Sequence, residues 1–117
     1  MKTVFTNGRI ILADRILDGY SVIVEDGVIS EVTRGNTAAD KVVDLKGCYL
    51  APGFIDMHTH GAGGHDFMDG TEEAIKGACM THLSHGTTSI VPTTLTCLNG
   101  ELFNFFDVDN IIRVGSA

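Results

Sequence analysis

Between residues 53 and 64 the sequence contains the run Gly53-Phe54-Ile55-Asp56-Met57-His58-Thr59-His60-Gly61-Ala62-Gly63-Gly64. Its first half predicts a short strand, and the glycines that follow predict a loop. Residues two apart on a strand point to the same face, so the imidazoles of His58 and His60 should lie side by side. Neutral imidazole binds zinc and iron well, and we interpret the pair as part of a divalent-metal site. The alternative is that both are ordinary strand histidines that make hydrogen bonds.

The residues after this run predict alternating helices and strands. Asp69 or Thr71 can cap a helix that Gly86 is suited to end. Residues 87–91 predict the next strand, which should stop at the following proline because proline cannot donate to a sheet. A second helix is predicted to begin near Asn99. The order strand, helix, strand, helix is typical of the opening of a parallel α/β fold.

The residues before the run predict β structure. Asn7-Gly8 predicts a turn between two strands, and Asp26-Gly27 predicts the tight turn of a hairpin that pairs residues 21–24 with residues 28–32. Residues 41–45 predict a further strand. Because these strands carry no reactive side chains at a useful spacing, we interpret this part of the chain as a packing module.

Composition and charge exclude several classes of protein. The chain has 117 residues, of which 44% are apolar and 20% charged, as expected of one small globular domain. Its net charge of −7 argues against a nucleic-acid partner. No apolar run approaches the roughly 18–20 residues of a membrane span. The first residues enter a strand pattern without a secretory leader and the three cysteines form no CxxC motif, so we expect reduced thiols and a cytoplasmic protein.

The histidine run and two later segments carry a resemblance to known enzymes. Residues 52–61 resemble the first metal-binding strand of the amidohydrolase superfamily. Residues 61–69 and 85–96 are similar to N-acetylglucosamine-6-phosphate deacetylases, and the resemblance extends over roughly residues 1–106.

The resemblance implies both a fold and a reaction. Residues 1–52 would be a β-sandwich segment, and residues 53–117 would begin a metal-dependent (β/α)8 barrel that is incomplete in this chain, since such a barrel needs about 200–250 residues. The reaction would release acetate and glucosamine 6-phosphate from N-acetylglucosamine 6-phosphate. His58 and His60 would be metal ligands, with one or two divalent ions (zinc, iron or similar) in the complete enzyme.

The same resemblance limits what the chain can do alone. The general acid/base, an Asp, is expected beyond residue 117, so no catalytic residue is predicted within this chain, and the chain alone is predicted to be inactive. The partner is expected to be a small sugar phosphate, and the complete enzyme is expected to be a homodimer.

Other polar residues in this region could serve either the site or the fold. His65 and Asp66 are predicted to contact substrate, or else to make hydrogen bonds that fold their loop. Asp56 is expected to orient the strand or a loop, and His82 to be a histidine of the helix core. Thr93 would line the site or cap a loop.

Two other functions stay open at this point. One is a different amidohydrolase that acts on a cyclic or linear amide, such as a dihydroorotase-like or D-aminoacylase-like enzyme. The other is a truncated, non-catalytic protein that binds a partner through an open sheet edge.

Overall fold

The structure is a computed structural model, which describes the backbone of residues 1–35 and 37–115 and the side chains of that part up to Val108. The chain divides into two compact units, Met1–Pro52 and Gly53–Ala117. In the described residues the first unit contains strands, whereas the second alternates strands with helices, so the predicted α/β class is confirmed. Neither α-helix of the described part is both long and apolar enough to cross a membrane.

The first unit is a mixed sheet. Its strands are β1 (Lys2–Ile11), β2 (Ile16–Glu25), β3 (Val28–Thr33), β4 (Lys41–Asp44) and β5 (Tyr49–Leu50). They lie in the order β3-β2-β1-β4, and β5 also pairs with β1. β2 is antiparallel to both neighbours, whereas β4 and β5 run parallel to β1. The buried apolar residues are Val4, Ile10, Val22 and Ile23.

One of the two predicted turns of this unit is confirmed and the other is wrong. The hairpin is confirmed, because β2 and β3 are antiparallel and Asp26 and Gly27 adopt φ angles of 50° and 84°. The turn at Asn7-Gly8 does not exist: β1 continues through both residues with shifts of register around Gly8. Asn7 has a left-handed φ of 56°, which asparagine tolerates in a bulged strand as well as in a turn.

The carboxylate of Asp44 stabilises this irregular stretch. It accepts hydrogen bonds from the Lys46 backbone N–H at 2.9 Å and from the Asn7 side-chain amide at 2.8 Å. Both bonds favour the ionised carboxylate, the Lys46 bond more strongly, and they lower the pKa of Asp44. The end of β4 therefore holds the irregular part of β1 in place.

The second unit is built on a strand, helix, strand motif. Strands β6 (Phe54–Thr59) and β9 (Thr87–Pro92) are parallel, and helix α1 (Glu72–Ser84) connects them. A small hairpin of β7 (Gly61–Ala62) and β8 (His65–Asp66), a short 3-10 helix (Phe67–Asp69) and helix α2 (Asn99–Gly115) complete the unit. The order predicted from the sequence is confirmed.

Capping and a small core hold the second unit together. Thr71 caps α1, because its hydroxyl accepts the backbone N–H of Ala74 at 3.2 Å, whereas Asp69 belongs to the preceding 3-10 helix. The core comprises the buried side chains Phe67, Ile75, Ala78 and Phe105. Leu83, near the end of α1, is exposed and does not belong to this core.

Candidate functional site

A β-bulge interrupts β6 next to the first histidine. Asp56 pairs with Ile90 and Thr59 pairs with Pro92, so three steps along β6 match two along β9. The extra residue lies between Asp56 and Thr59, and the Asp56 carboxylate accepts the backbone N–H of His58 at 3.1 Å. A bulge of this kind redirects the side chains beside it, and such bulges are frequent next to functional sites.

The two predicted ligands lie next to each other. The ring centroids of His58 and His60 are 5.1 Å apart and their planes are perpendicular. His58 is exposed, whereas His60 is half-buried. The predicted juxtaposition is therefore present, while the binding of a metal by these rings stays a prediction.

A backbone carbonyl orients His60. Nδ1 of His60 lies 2.9 Å from the carbonyl oxygen of Thr93, in the loop after β9. Because a carbonyl oxygen only accepts, Nδ1 must carry the hydrogen of this bond, which leaves the lone pair of the neutral ring on Nε2. Metal-binding histidines commonly donate their second ring N–H in this way, and the bond fixes both tautomer and orientation.

The donor set fits a divalent ion that takes further ligands from elsewhere. Two imidazoles bound to one tetrahedral zinc at about 2.0–2.1 Å have their ring centres about 5 Å apart, close to the 5.1 Å observed here. Within the described residues, no group of three or more His, Cys, Asp or Glu side chains could hold a metal. A catalytic zinc has three protein ligands as a rule, so these two rings would form part of such a site.

His82 of α1 makes polar contacts with β6 and is more than a histidine of the helix core. Its Nδ1 lies 3.8 Å from Oδ2 of Asp56, and its Nε2 lies 3.2 Å from the hydroxyl of Thr59. Asp56 and Thr59 therefore both face α1, although they are three residues apart on a strand. The bulge explains this, because it breaks the strict alternation of faces.

The residues predicted to contact substrate have structural roles in this fold. Asp66 accepts the backbone N–H of Met68 at 2.8 Å, and Asp69 accepts the N–H of Asp66 at 3.1 Å, which together form a capping box. The ring of His65 packs on Gly77 of α1, where an added Cβ would lie 2.5 Å from Cδ2 of that ring. Contact of either residue with a substrate stays a prediction.

The glycine-rich loop is tighter than the sequence suggested. Gly63 and Gly64 are the two central residues of the turn that joins β7 to β8, with φ angles of 63° and 83°. Two consecutive positive φ angles are typical of a type I′ turn, which favours glycine at both positions. The glycines therefore close a hairpin directly after His60.

Sequence reasoning missed the contacts that hold the histidine pair. The Thr93 carbonyl that orients His60 belongs to the backbone, so no residue type marks it. The Thr93 hydroxyl accepts the backbone N–H of Thr59 at 3.2 Å, which matches the loop-capping interpretation of this residue. The polar contacts of His82 could not be predicted from the sequence, because they depend on how α1 packs against β6. The one signal for them was a polar ring on the apolar side of a helix.

Two protein-family models match this chain. The model of an amidohydrolase family matches residues 41–88, and the model of a NagA composite domain matches residues 4–50. The first match contains the histidine run, and the second lies within the first unit.

Individual relatives and solved structures point the same way. An N-acetylglucosamine-6-phosphate deacetylase from Lysinibacillus sphaericus is 31% identical over 109 residues, which are 92% of this chain and 27% of the relative. A dihydroorotase from Pelobacter propionicus is 40% identical over 63 residues, which are 51% of this chain and 15% of the relative.

The crystal structure of an N-acetylglucosamine-6-phosphate deacetylase from Pasteurella multocida superposes with a TM-score of 0.86 at 28% identity, covering 94% of this chain and 30% of that protein. The chain thus spans less than a third of the length of these proteins. From the family matches, the relatives and the shared fold, the chain belongs to the N-acetylglucosamine-6-phosphate deacetylase family of the amidohydrolase superfamily.

Proposed function

We propose that this chain supplies the first metal-binding strand of an enzyme that hydrolyses N-acetylglucosamine 6-phosphate to glucosamine 6-phosphate and acetate. The observation that carries the proposal is the histidine pair on β6, with ring centroids 5.1 Å apart and His60 oriented by the Thr93 carbonyl. The substrate follows from the similarity to the deacetylases of Lysinibacillus sphaericus and Pasteurella multocida.

In this proposal each histidine has a defined task. His60 keeps its hydrogen on Nδ1, where it donates to Thr93, and offers Nε2 to the metal. The backbone of His58 is held by the Asp56 carboxylate, and its exposed ring offers a second nitrogen. A divalent ion such as zinc or iron would supply Lewis acidity for amide hydrolysis. One or two such ions are expected in the complete enzyme.

The remaining parts of the machinery are expected outside this chain. We expect the general acid/base, the other metal ligands and the groups that bind the phosphate to lie outside the 117 residues, which should therefore be inactive alone. The first unit would form part of a β-sandwich, and the second would begin a (β/α)8 barrel. A homodimer in the cytoplasm is the expected form of the complete protein.

A second candidate is an amidohydrolase that acts on a cyclic amide. The dihydroorotase of Pelobacter propionicus supports it, since its identity to this chain is 40% over 63 residues. That match covers 51% of the chain, whereas the match to the Lysinibacillus deacetylase covers 92%. The longer match favours the deacetylase.

The two candidates separate in one assay of the complete gene product. Hydrolysis of N-acetylglucosamine 6-phosphate, free N-acetylglucosamine and dihydroorotate should be measured side by side with the enzyme loaded with metal. We expect acetate release to be fastest from the phosphorylated sugar. Faster ring opening of dihydroorotate would replace the deacetylase by the second candidate.

A further inference from the structure

His82 contacts the residues on both sides of the β-bulge in β6. Its Nε2 is 3.2 Å from the Thr59 hydroxyl, which is a hydrogen bond. Its Nδ1 is 3.8 Å from Oδ2 of Asp56, which is too long for a hydrogen bond but within the range of an ion pair or a directed dipole. The side chain of His82 is only 19% exposed, so these contacts are partly shielded from water.

Each partner of His82 in turn holds the backbone next to a candidate ligand. The second oxygen of Asp56 accepts the backbone N–H of His58 at 3.1 Å. The Thr59 hydroxyl lies 3.2 Å from the Gly61 carbonyl, and the Thr59 backbone bonds to Thr93 in both directions. His60 lies between Thr59 and Gly61, so this network holds the chain on both sides of it.

The imidazole of His82 suits this place because its two nitrogens face different partners. The Thr59 hydroxyl donates its single hydrogen to the Gly61 carbonyl, so Nε2 of His82 donates to the Thr59 oxygen, while Nδ1 faces the Asp56 carboxylate. An aliphatic side chain would leave both partners without this contact.

We propose that His82 is a positioning residue of the metal site: by contacting Asp56 and Thr59, it fixes the bulge that places His58 and His60 side by side. The inference rests on the proposed metal-binding function of that pair. Loss of groups that orient metal ligands commonly lowers metal affinity by about 10–100-fold. A histidine that merely filled the core would affect the stability of the fold and leave the affinity of folded molecules unchanged.

The test measures Co²⁺ binding by the complete gene product, and the visible absorption of the bound ion reports the binding. His82→Leu removes both polar contacts. The leucine side chain has room, because residue 82 lines a cavity of about 170 Å³ between α1 and β9. His82→Gln keeps an amide that both donates and accepts. His85→Leu is the matched control, since His85 is exposed and bonds within its own helix end at 2.9 Å.

We expect His82→Leu to weaken Co²⁺ binding by about 10–100-fold and to change its absorption spectrum, with partial recovery in His82→Gln and no effect in His85→Leu. Thr59→Val removes the hydroxyl at constant shape and should also weaken Co²⁺ binding. This variant tests the proposal if His82→Leu does not fold. Wild-type affinity and spectrum in either His82→Leu or Thr59→Val would overturn the proposal, as would equal losses in His85→Leu.

Two results distinguish this inference from the proposed function. If His58→Ala and His60→Ala abolish Co²⁺ binding while His82→Leu leaves it intact, the metal site stands and the role of His82 is wrong. If the wild-type protein binds Co²⁺ independently of the histidine pair, both are wrong.

Discussion

Replacement of Phe67 by alanine should remove a large part of the stability of the second unit. Phe67 is completely buried and packs with Ile75, Ala78 and Phe105, which are the other buried members of this core. Truncating a buried phenylalanine to alanine costs about 3–5 kcal/mol. A unit of about 65 residues has a total stability of roughly 3–10 kcal/mol at the usual values per residue. This unit of the variant should therefore unfold at a much lower urea concentration than in the wild type.

The chain allows the two units to be followed separately. Its only tyrosines, Tyr20 and Tyr49, lie in the first unit, and it has no tryptophan. The α-helices of the described part lie in the second unit. Urea unfolding of dilute protein should therefore be recorded by the far-ultraviolet helix signal for the second unit and by tyrosine fluorescence for the first.

We expect Phe67→Ala to shift the helix transition to lower urea concentrations and to leave the tyrosine transition nearly unchanged. Phe103→Ala is the control on α2, because Phe103 is 65% exposed and its truncation should change stability by no more than about 0.5 kcal/mol. If Phe67→Ala costs less than about 1 kcal/mol, or if Phe103→Ala costs as much, this core does not hold the unit together.

Three further predictions concern acid stability, helix capping and activity. The folded pKa of Asp44 lies below its ordinary value of 3.8, so its carboxylate stabilises the fold above that value and loses this effect as the pH falls through the folded pKa. The difference in melting temperature between the wild type and Asp44→Asn should therefore be constant near neutral pH and vanish in acid. A difference that persists at low pH would contradict this. Thr71→Ala should cost about 1 kcal/mol of stability through loss of the α1 cap, measured by urea unfolding, whereas Thr71→Ser should cost far less. The 117-residue chain alone should release no acetate from N-acetylglucosamine 6-phosphate in the presence of Zn²⁺, and measurable turnover would show that the groups expected outside it are dispensable.

Local signals predicted much of the fold. Asp26-Gly27 predicted the hairpin correctly because two positive φ angles leave few alternatives to a tight turn. Asn7-Gly8 carries a similar signal but lies within β1, since asparagine also fits the left-handed position of an irregular strand. Whether a tight turn or an irregular strand forms at Asn7 depends on the pairing of β1 with β2 and on the hydrogen bond from Asn7 to Asp44. Neither contact is local in sequence.

The position of the two candidate ligands was predictable from the sequence, whereas the contacts that support them were not. The spacing of His58 and His60 predicted their juxtaposition, which the ring separation of 5.1 Å shows. The same rule of alternating faces would place Asp56 beside them, yet it contacts α1, because the register against β9 creates a bulge. A register shift arises from the pairing of two strands and has no signature in either strand alone.

The most direct test of this account is the metal content of the complete gene product after equilibrium dialysis against Zn²⁺. We predict that a double variant, His58→Ala with His60→Ala, binds at least one ion fewer per chain, or binds it at least about 10–100-fold more weakly, while its helix signal stays that of the wild type. A folded double variant with the full metal content and affinity of the wild type would show that the histidine pair is structural.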